Sequence, residues 1–214
     1  MSKINDLTRF PRTIIALFAG LMMMLAAPSA WSQAWTTVSS KEALTAAIAD
    51  GAHIRLTADI TLSSHLKIGQ NSTQNVTIDL NGHTLKRNLS SASSDGHVIE
   101  VYRAGILTIT DGATGGTIMG GYANNGGGIC NYGTLNFQGG TISECKTAYS
   151  DGCMGGGIKN NSAGTVTMSG GTIERCESGD CGGIYNGEGA TLIVTGATIS
   201  DWGGNVRKGG VWNE

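Results

Sequence analysis

Five charged side chains in the early part of the repeating region have the chemistry to act on an acidic sugar polymer: Asp79, Asp95, Glu100, Arg103 and Asp111. Carboxylates gathered on one face hold calcium, and an arginine or lysine takes a proton from a sugar ring. Their spacing argues against such a site. They do not recur at one repeating position, and the later chain supplies no second aspartate to match them. Glu144, Glu174, Glu177, Asp180 and Asp201 read as solvated corners. His53, His65 and His97 show no partner in the sequence, and His83 lies in the structural segment IDLNGHTL. No Ser-His-Asp pattern and no phosphate-cradling loop stands out, because the glycine runs open strands rather than helices. The residue types therefore predict no catalytic residue, no metal site and no cofactor.

Thiols and aromatic rings offer other chemistry. All five cysteines follow Gly126. Cys145 and Cys176 each stand three residues after an isoleucine of a repeat, and Cys153 and Cys181 each shortly precede a Gly-Gly pair. Stacked strands place equivalent Cα atoms about 4.8 Å apart, inside the range of a disulfide. Cys145–Cys176 or Cys153–Cys181 bridges are thus permitted, with an odd thiol left over, and a buried thiol stack is the alternative. No CxxC spacing marks a zinc site. One residue past the first isoleucine of each copy stand Cys130, Lys159, Tyr185 and Trp212. In a strand that position points outward, so Tyr185 and Trp212 predict a stacking surface for a sugar or a protein, and Tyr122 and Tyr149 in neighbouring loops extend it. The competing reading is ordinary surface variation.

The elements that must carry these residues repeat. From Gly126 onward the chain reads GGGICNYGTLNFQGGTISEC, GGGIKNNSAGTVTMSGGTIERC, GGIYNGEGATLIVTGATISDW and GGVWNE. Ile129, Ile158, Ile184 and Val211 align, at steps of 29, 26 and 27 residues. Asn131, Asn160, Asn186 and Asn213 form a second column, most simply a structural one, because asparagine tolerates turns and can bond its own stack neighbours. Leu135, Val166 and Leu192, then Phe137, Met168 and Val194, then Ile142, Ile173 and Ile199 form three more. Within a copy the apolar residues alternate in twos, which is strand spacing. Repeats of this length cannot bury an apolar face alone and stack into a solenoid. Of 34 glycines, 29 lie at or after Gly105, where each coil must turn three times. The pattern predicts an all-β, right-handed, single-stranded parallel β-helix of about seven rungs.

Upstream, Ile54, Leu56, Ile60 and Leu62 alternate, as do Val76, Ile78 and Leu80, giving less regular early rungs. Val101 is aligned with the first isoleucine column, Leu107 and Ile109 with the next two, and Ile118 with Ile142. Insertions at 119–125, 146–154 and 177–181 leave the stack at one corner, a usual place for a working face. The segment Ser39-Ser40-Lys41-Glu42 has the Ser-x-x-Glu form of a helix start, and Leu44, Ala47 and Ile48 give that helix an apolar face that ends at Gly51. Residues 35–52 thus predict an N-terminal cap with a short helix, and 53–214 the β-helix.

Residues 1–34 read as a secretory signal: Lys3, Arg9 and Arg12, an apolar run from Thr13 to Ala27, and a small-x-small site ending at Ala34. The run is shorter than the roughly 20 residues that span a bilayer, and no later stretch is a membrane helix. Cleavage leaves 11 basic against 15 acidic side chains. That balance excludes nucleic acid as a partner, since binding it needs a basic stripe. Gly209–Glu214 opens a further copy without completing it, so a longer natural chain is expected.

The segment Ile78–Leu85, IDLNGHTL, resembles one common in the early coils of pectate-lyase-like β-helix proteins. The later GG-x-I…N copies are similar to repeats of bacterial surface β-helix proteins and of chlamydial polymorphic outer-membrane proteins. They depart from the latter in having GGGI or GGTI and no FxxN. The resemblance implies an exported surface or secreted protein of adhesin or structural type, with an extracellular glycan or a host or cell-surface protein as partner. The alternative it implies is a polysaccharide lyase or glycoside hydrolase, because one fold carries both kinds of protein.

Overall fold

The computed structural model describes residues 34–150, 152, 154–200 and 210–214. The expected leader, Cys153, Asp201 and Trp202 lie outside the described residues, Ala34 apart. Among them the strands form three long all-parallel sheets, the stacked β-helix that the repeats predict. The first sheet has seven strands: Thr36–Val38, Ala52–Leu56, Gln74–Asp79, Gly105–Thr110, Thr134–Phe137, Thr165–Met168 and Thr191–Val194. The second has six, from Ile60–Thr61 through Thr84–Lys86, Thr117–Met119, Thr141–Ser143 and Thr172–Glu174 to Thr198–Ser200. The third also has six, from Leu66–Ile68 through Ile99–Val101, Ile129–Asn131, Ile158–Asn160 and Ile184–Asn186 to Val211–Asn213. Successive strands of one coil belong to different sheets, so each strand pairs only with its equivalents one coil away.

The expected columns are the observed register. Ile129 pairs with Ile158, Ile158 with Ile184, and Ile184 with Val211. Down the first sheet, Ile54, Ile78, Ile109, Phe137 and Met168 are neighbours in turn, and none of these five is exposed. One alignment needs correction. Val101 lies opposite Asn131, and Ile99 takes the first-column place opposite Ile129. Ile99 and Val101 both point inward, so the apolar pattern alone allows a two-residue slip.

Residues 35–52 include a strand as well as a helix. Thr36–Val38 opens the first sheet, and the helix Lys41–Ala47 follows it. The cap is Ser40, one residue later than the Ser-x-x-Glu pattern suggests; its hydroxyl accepts from the Ala43 amide at 3.2 Å. Leu44 is fully buried in the core and Ala47 and Ile48 pack at its edge, so the helix screens apolar side chains of the first coil. Gly51 turns the chain into the next strand with φ of 74°.

Described parts of the insertions pair with one another where they leave the stack. Tyr122–Ala123 pairs in parallel with Lys146–Thr147. Single bridges extend the pair, Ser93 to Ala123 on one side and Lys146 to Glu177 on the other. The loops thus form a short lateral ladder along one corner.

Candidate functional site

The outward side chains of the third sheet converge where its first two strands begin. His65 immediately precedes Leu66–Ile68, His97 lies two residues before Ile99–Val101, and Glu100 sits within the latter strand. His65 Nε2 is 3.1 Å from Glu100 Oε2, His97 Nε2 is 3.5 Å from the same oxygen, and the two rings are 4.5 Å apart. These side chains are 7, 5 and 15% exposed respectively. With protonated rings the contacts would be ion pairs. Burial instead lowers the His65 and His97 pKa values, the neighbouring ring adds to this at His97, and Glu100 opposes it. Desolvation is the largest cause at both rings and disfavours their charged forms.

All four ring nitrogens of this pair lack a hydrogen-bond partner, despite the short distances to Glu100. Around them, Arg87 donates through Nη1 to the His97 carbonyl at 3.0 Å and to the Asp95 carbonyl. Burial first, and then the Glu100 carboxylate, push the Tyr102 phenol pKa up. A cleft of about 420 Å³ between the capping helix and this corner has His65, Lys41 and Gln70 in its wall. His65, His97 and Glu100 are the one group of three or more ligand-type side chains among the described residues whose donor atoms lie close enough to share a metal ion, within 4.8 Å of one another.

Sequence reading missed this cluster because its members share no column. A signal was nevertheless present. In the register of the third sheet His65 occupies the place of Gly128, Gly157 and Gly183, and His97 that of Gly127, Gly156 and Gly182. Later coils have no room there: a Cβ on Gly128 would come 2.7 Å from Ile142 Cγ2, and one on Gly127 would strike the Lys146 carbonyl. Two histidines thus stand in columns where the later coils have glycine.

The other expected residues fall into separate places. Asp79 is 1% exposed and committed to structure. Its carboxylate accepts from Arg55 Nε at 2.8 Å and from the Asn81 and Gly112 amides at 3.0 and 2.7 Å. Asp111 accepts from the Gly82 and Gly116 amides at 2.7 and 2.8 Å. These two carboxylates fasten turns between coils. Tyr185 and Trp212 do pair in register and pack edge to face at 6.0 Å. Tyr185, however, is only 6% exposed. The Trp212 ring lies on one side, Lys159 Nζ is 5.6 Å from the ring centroid, and the hydroxyl bonds Glu214. Outward-pointing neighbours in adjacent coils cover one another. Tyr122 is half-buried in the corner ladder, whereas Tyr149 beside it is 53% exposed. The Tyr149 hydroxyl donates to Glu177, which also meets Lys146 Nζ at 3.2 Å.

Of the two arrangements open to Cys145 and Cys176, the structure has the thiol stack: both are free and fully buried. The Cys145 thiol faces the Ser143 carbonyl at 3.3 Å and that of Cys176 faces the Glu174 carbonyl at 3.4 Å. Cys181 Sγ lies 3.1 Å from the Ile184 carbonyl. The asparagine column is structural throughout. Nδ2 of Asn131, Asn160 and Asn186 donates to Oδ1 of the next asparagine at 2.7, 2.7 and 2.6 Å. Only the first acceptor, Asn131 Oδ1, is unpaired, because Val101 stands where a preceding asparagine would donate.

No helix among the described residues is long and apolar enough to cross a membrane. No protein-family model, curated protein or solved structure matches the chain.

Proposed function

We propose that this chain is an exported, cell-surface or secreted repeat protein, a rigid scaffold of the adhesin or extracellular-matrix type that its motifs resemble. One observation supports a binding role above others. The inserted loops are registered into a lateral ladder that holds out Tyr149, more than half exposed and tethered through its hydroxyl to Glu177. A tethered aromatic ring on a rigid frame presents apolar area at little entropic cost, which suits a sugar face or a protein surface. Extracellular glycans and cell-surface proteins are the partners proposed. The basic leader and its apolar run support export.

The test is retention of the mature chain on a broad glycan array and on cell surfaces. Tyr149→Ala combined with Tyr122→Ala should lower retention about tenfold or more, as loss of an aromatic anchor does. Tyr185→Ala with Trp212→Ala should have the smaller effect, because Tyr185 is covered. Equal retention by the Tyr149 and Tyr122 double variant would remove the corner ladder as the binding face. Release of new sugar ends from the array would replace the scaffold reading with a polysaccharide-cleaving one.

A further inference from the structure

We propose that His65, His97 and Glu100 bind one divalent transition-metal ion of the zinc class, with a fourth coordination position left for water or a ligand from the adjoining cleft. The inference is independent of the binding role proposed above and rests on geometry, orphaned atoms and donor chemistry.

The geometry is that of ligands awaiting an ion. Zinc bonds of about 2.0–2.1 Å in a tetrahedron put neighbouring donor atoms roughly 3.3 Å apart. The two Nε2 to Oε2 distances, 3.1 and 3.5 Å, lie on either side of that value. Both rings bring Nε2 close to one carboxylate oxygen without the alignment of a direct hydrogen bond, as donors arranged around a shared ion do.

The orphaned atoms are the second observation. Buried polar atoms almost always find partners, and each one left alone costs free energy. Here four imidazole nitrogens, on side chains at least nine-tenths buried, have none. An ion between the rings satisfies one nitrogen on each and the carboxylate together.

The donor set selects the ion. Calcium takes six to eight oxygen ligands and magnesium is held through carboxylates and water, and neither suits two imidazoles and one carboxylate. Two histidines with one glutamate match the three-protein-ligand pattern of an open zinc site. The charges nearby balance: Lys67 and Arg87 oppose a cation, while Glu100 and Asp95 favour it. His65 belongs to both the cluster and the cleft wall, which supplies an entry path.

The test uses the mature full chain, stripped with a chelator and titrated with Co²⁺ as a spectroscopic stand-in and then with Zn²⁺. One Co²⁺ per chain should bind with the strong visible absorption of a four-coordinate nitrogen and oxygen site, and Zn²⁺ should bleach it. Glu100→Gln, His65→Gln and His97→Gln should each weaken binding at least about tenfold, the loss that even a supporting residue causes. His53→Gln and His83→Gln should leave it unchanged. Absence of Co²⁺ and Zn²⁺ binding by the wild-type chain overturns the proposal without any variant. So does a thiolate charge-transfer band, which would move the metal to the cysteines, or binding that survives the His65 and His97 substitutions.

Discussion

Single side chains in this molecule gain their meaning from the coil above and the coil below. Asn160 is the clearest case: it accepts from Asn131, donates to Asn186, and donates again to the Gly164 carbonyl. Replacing it with leucine removes the donor from the buried Asn186 side-chain oxygen and from the Gly164 and Thr191 carbonyls, while Asn131 keeps its bonds to the Gly133 and Thr165 carbonyls, at about 1–3 kcal/mol for each buried group left unpaired. Asn160→Leu should therefore destabilise the fold by about 3 kcal/mol in urea unfolding, and a loss below about 1 kcal/mol would show that water replaces the ladder. Glu177 offers a residue-scale test of the corner. The Tyr149 hydroxyl holds its carboxyl below the ordinary 4.5, burial opposes this, and Lys146 assists it. Because the folded value is depressed, the contact stabilises the loop above the unfolded value and is lost as pH falls through the folded one. Tyr149→Phe should bring the Glu177 titration back up toward 4.5, read from its carboxyl carbon by NMR. An unchanged titration would mean that Tyr149 is not tethered. The histidine cluster shows the limit of reading residues singly: His65, His97 and Glu100 come from two coils and one outward face, and no spacing rule joins them.

Strands and turns were the most legible elements, and for a physical reason. Alternation in twos fixes which side chains face inward, and a copy that cannot bury its own face must repeat that alternation in register. Leu135, Val166 and Leu192 therefore announced their pairing directly. The reading slipped at Ile99 and Val101, where two inward apolar residues flank one outward one and either satisfies the column. It also missed that Tyr185 is covered, because strand periodicity gives a direction but not what lies across it. Turns are tighter than their composition implies. Gly171 has φ of 80°, and a Cβ there would strike the Phe137 ring and come 2.7 Å from the Gly140 carbonyl. Gly189 has φ of 70°, with nothing within 4 Å of such a Cβ. Gly189→Ala should cost about 1 kcal/mol, the conformational penalty alone. Gly171→Ala should cost about 2–4 kcal/mol, since a clash of about 1–3 kcal/mol is added. Equal costs in denaturant melts would show that Phe137 rotates away freely.

At the scale of the whole stack, contacts run only between adjacent coils, so stability should vary along the axis rather than belong to one cooperative unit. Two ends of the described stack differ in how they are covered. At the first coil the helix Lys41–Ala47 buries Leu44 in the core. At the other, no described strand lies on Thr191–Val194, where Ile193 and Val194 are 46 and 42% exposed. Phe137 and Met168, two and one coils back in the same column as Val194, are fully buried. Native-state amide exchange should therefore be at least about tenfold slower across Thr134–Phe137 than across Thr191–Val194, since the former packs between two described strands and the latter carries exposed apolar side chains. The same asymmetry predicts that Phe137→Ala costs about 3–5 kcal/mol, the loss expected of a fully buried ring. Leu192→Ala, at a half-buried place packed on the core edge, should cost less than half as much. Uniform protection along the axis, with equal costs for the two substitutions, would mean that the stack unfolds all at once.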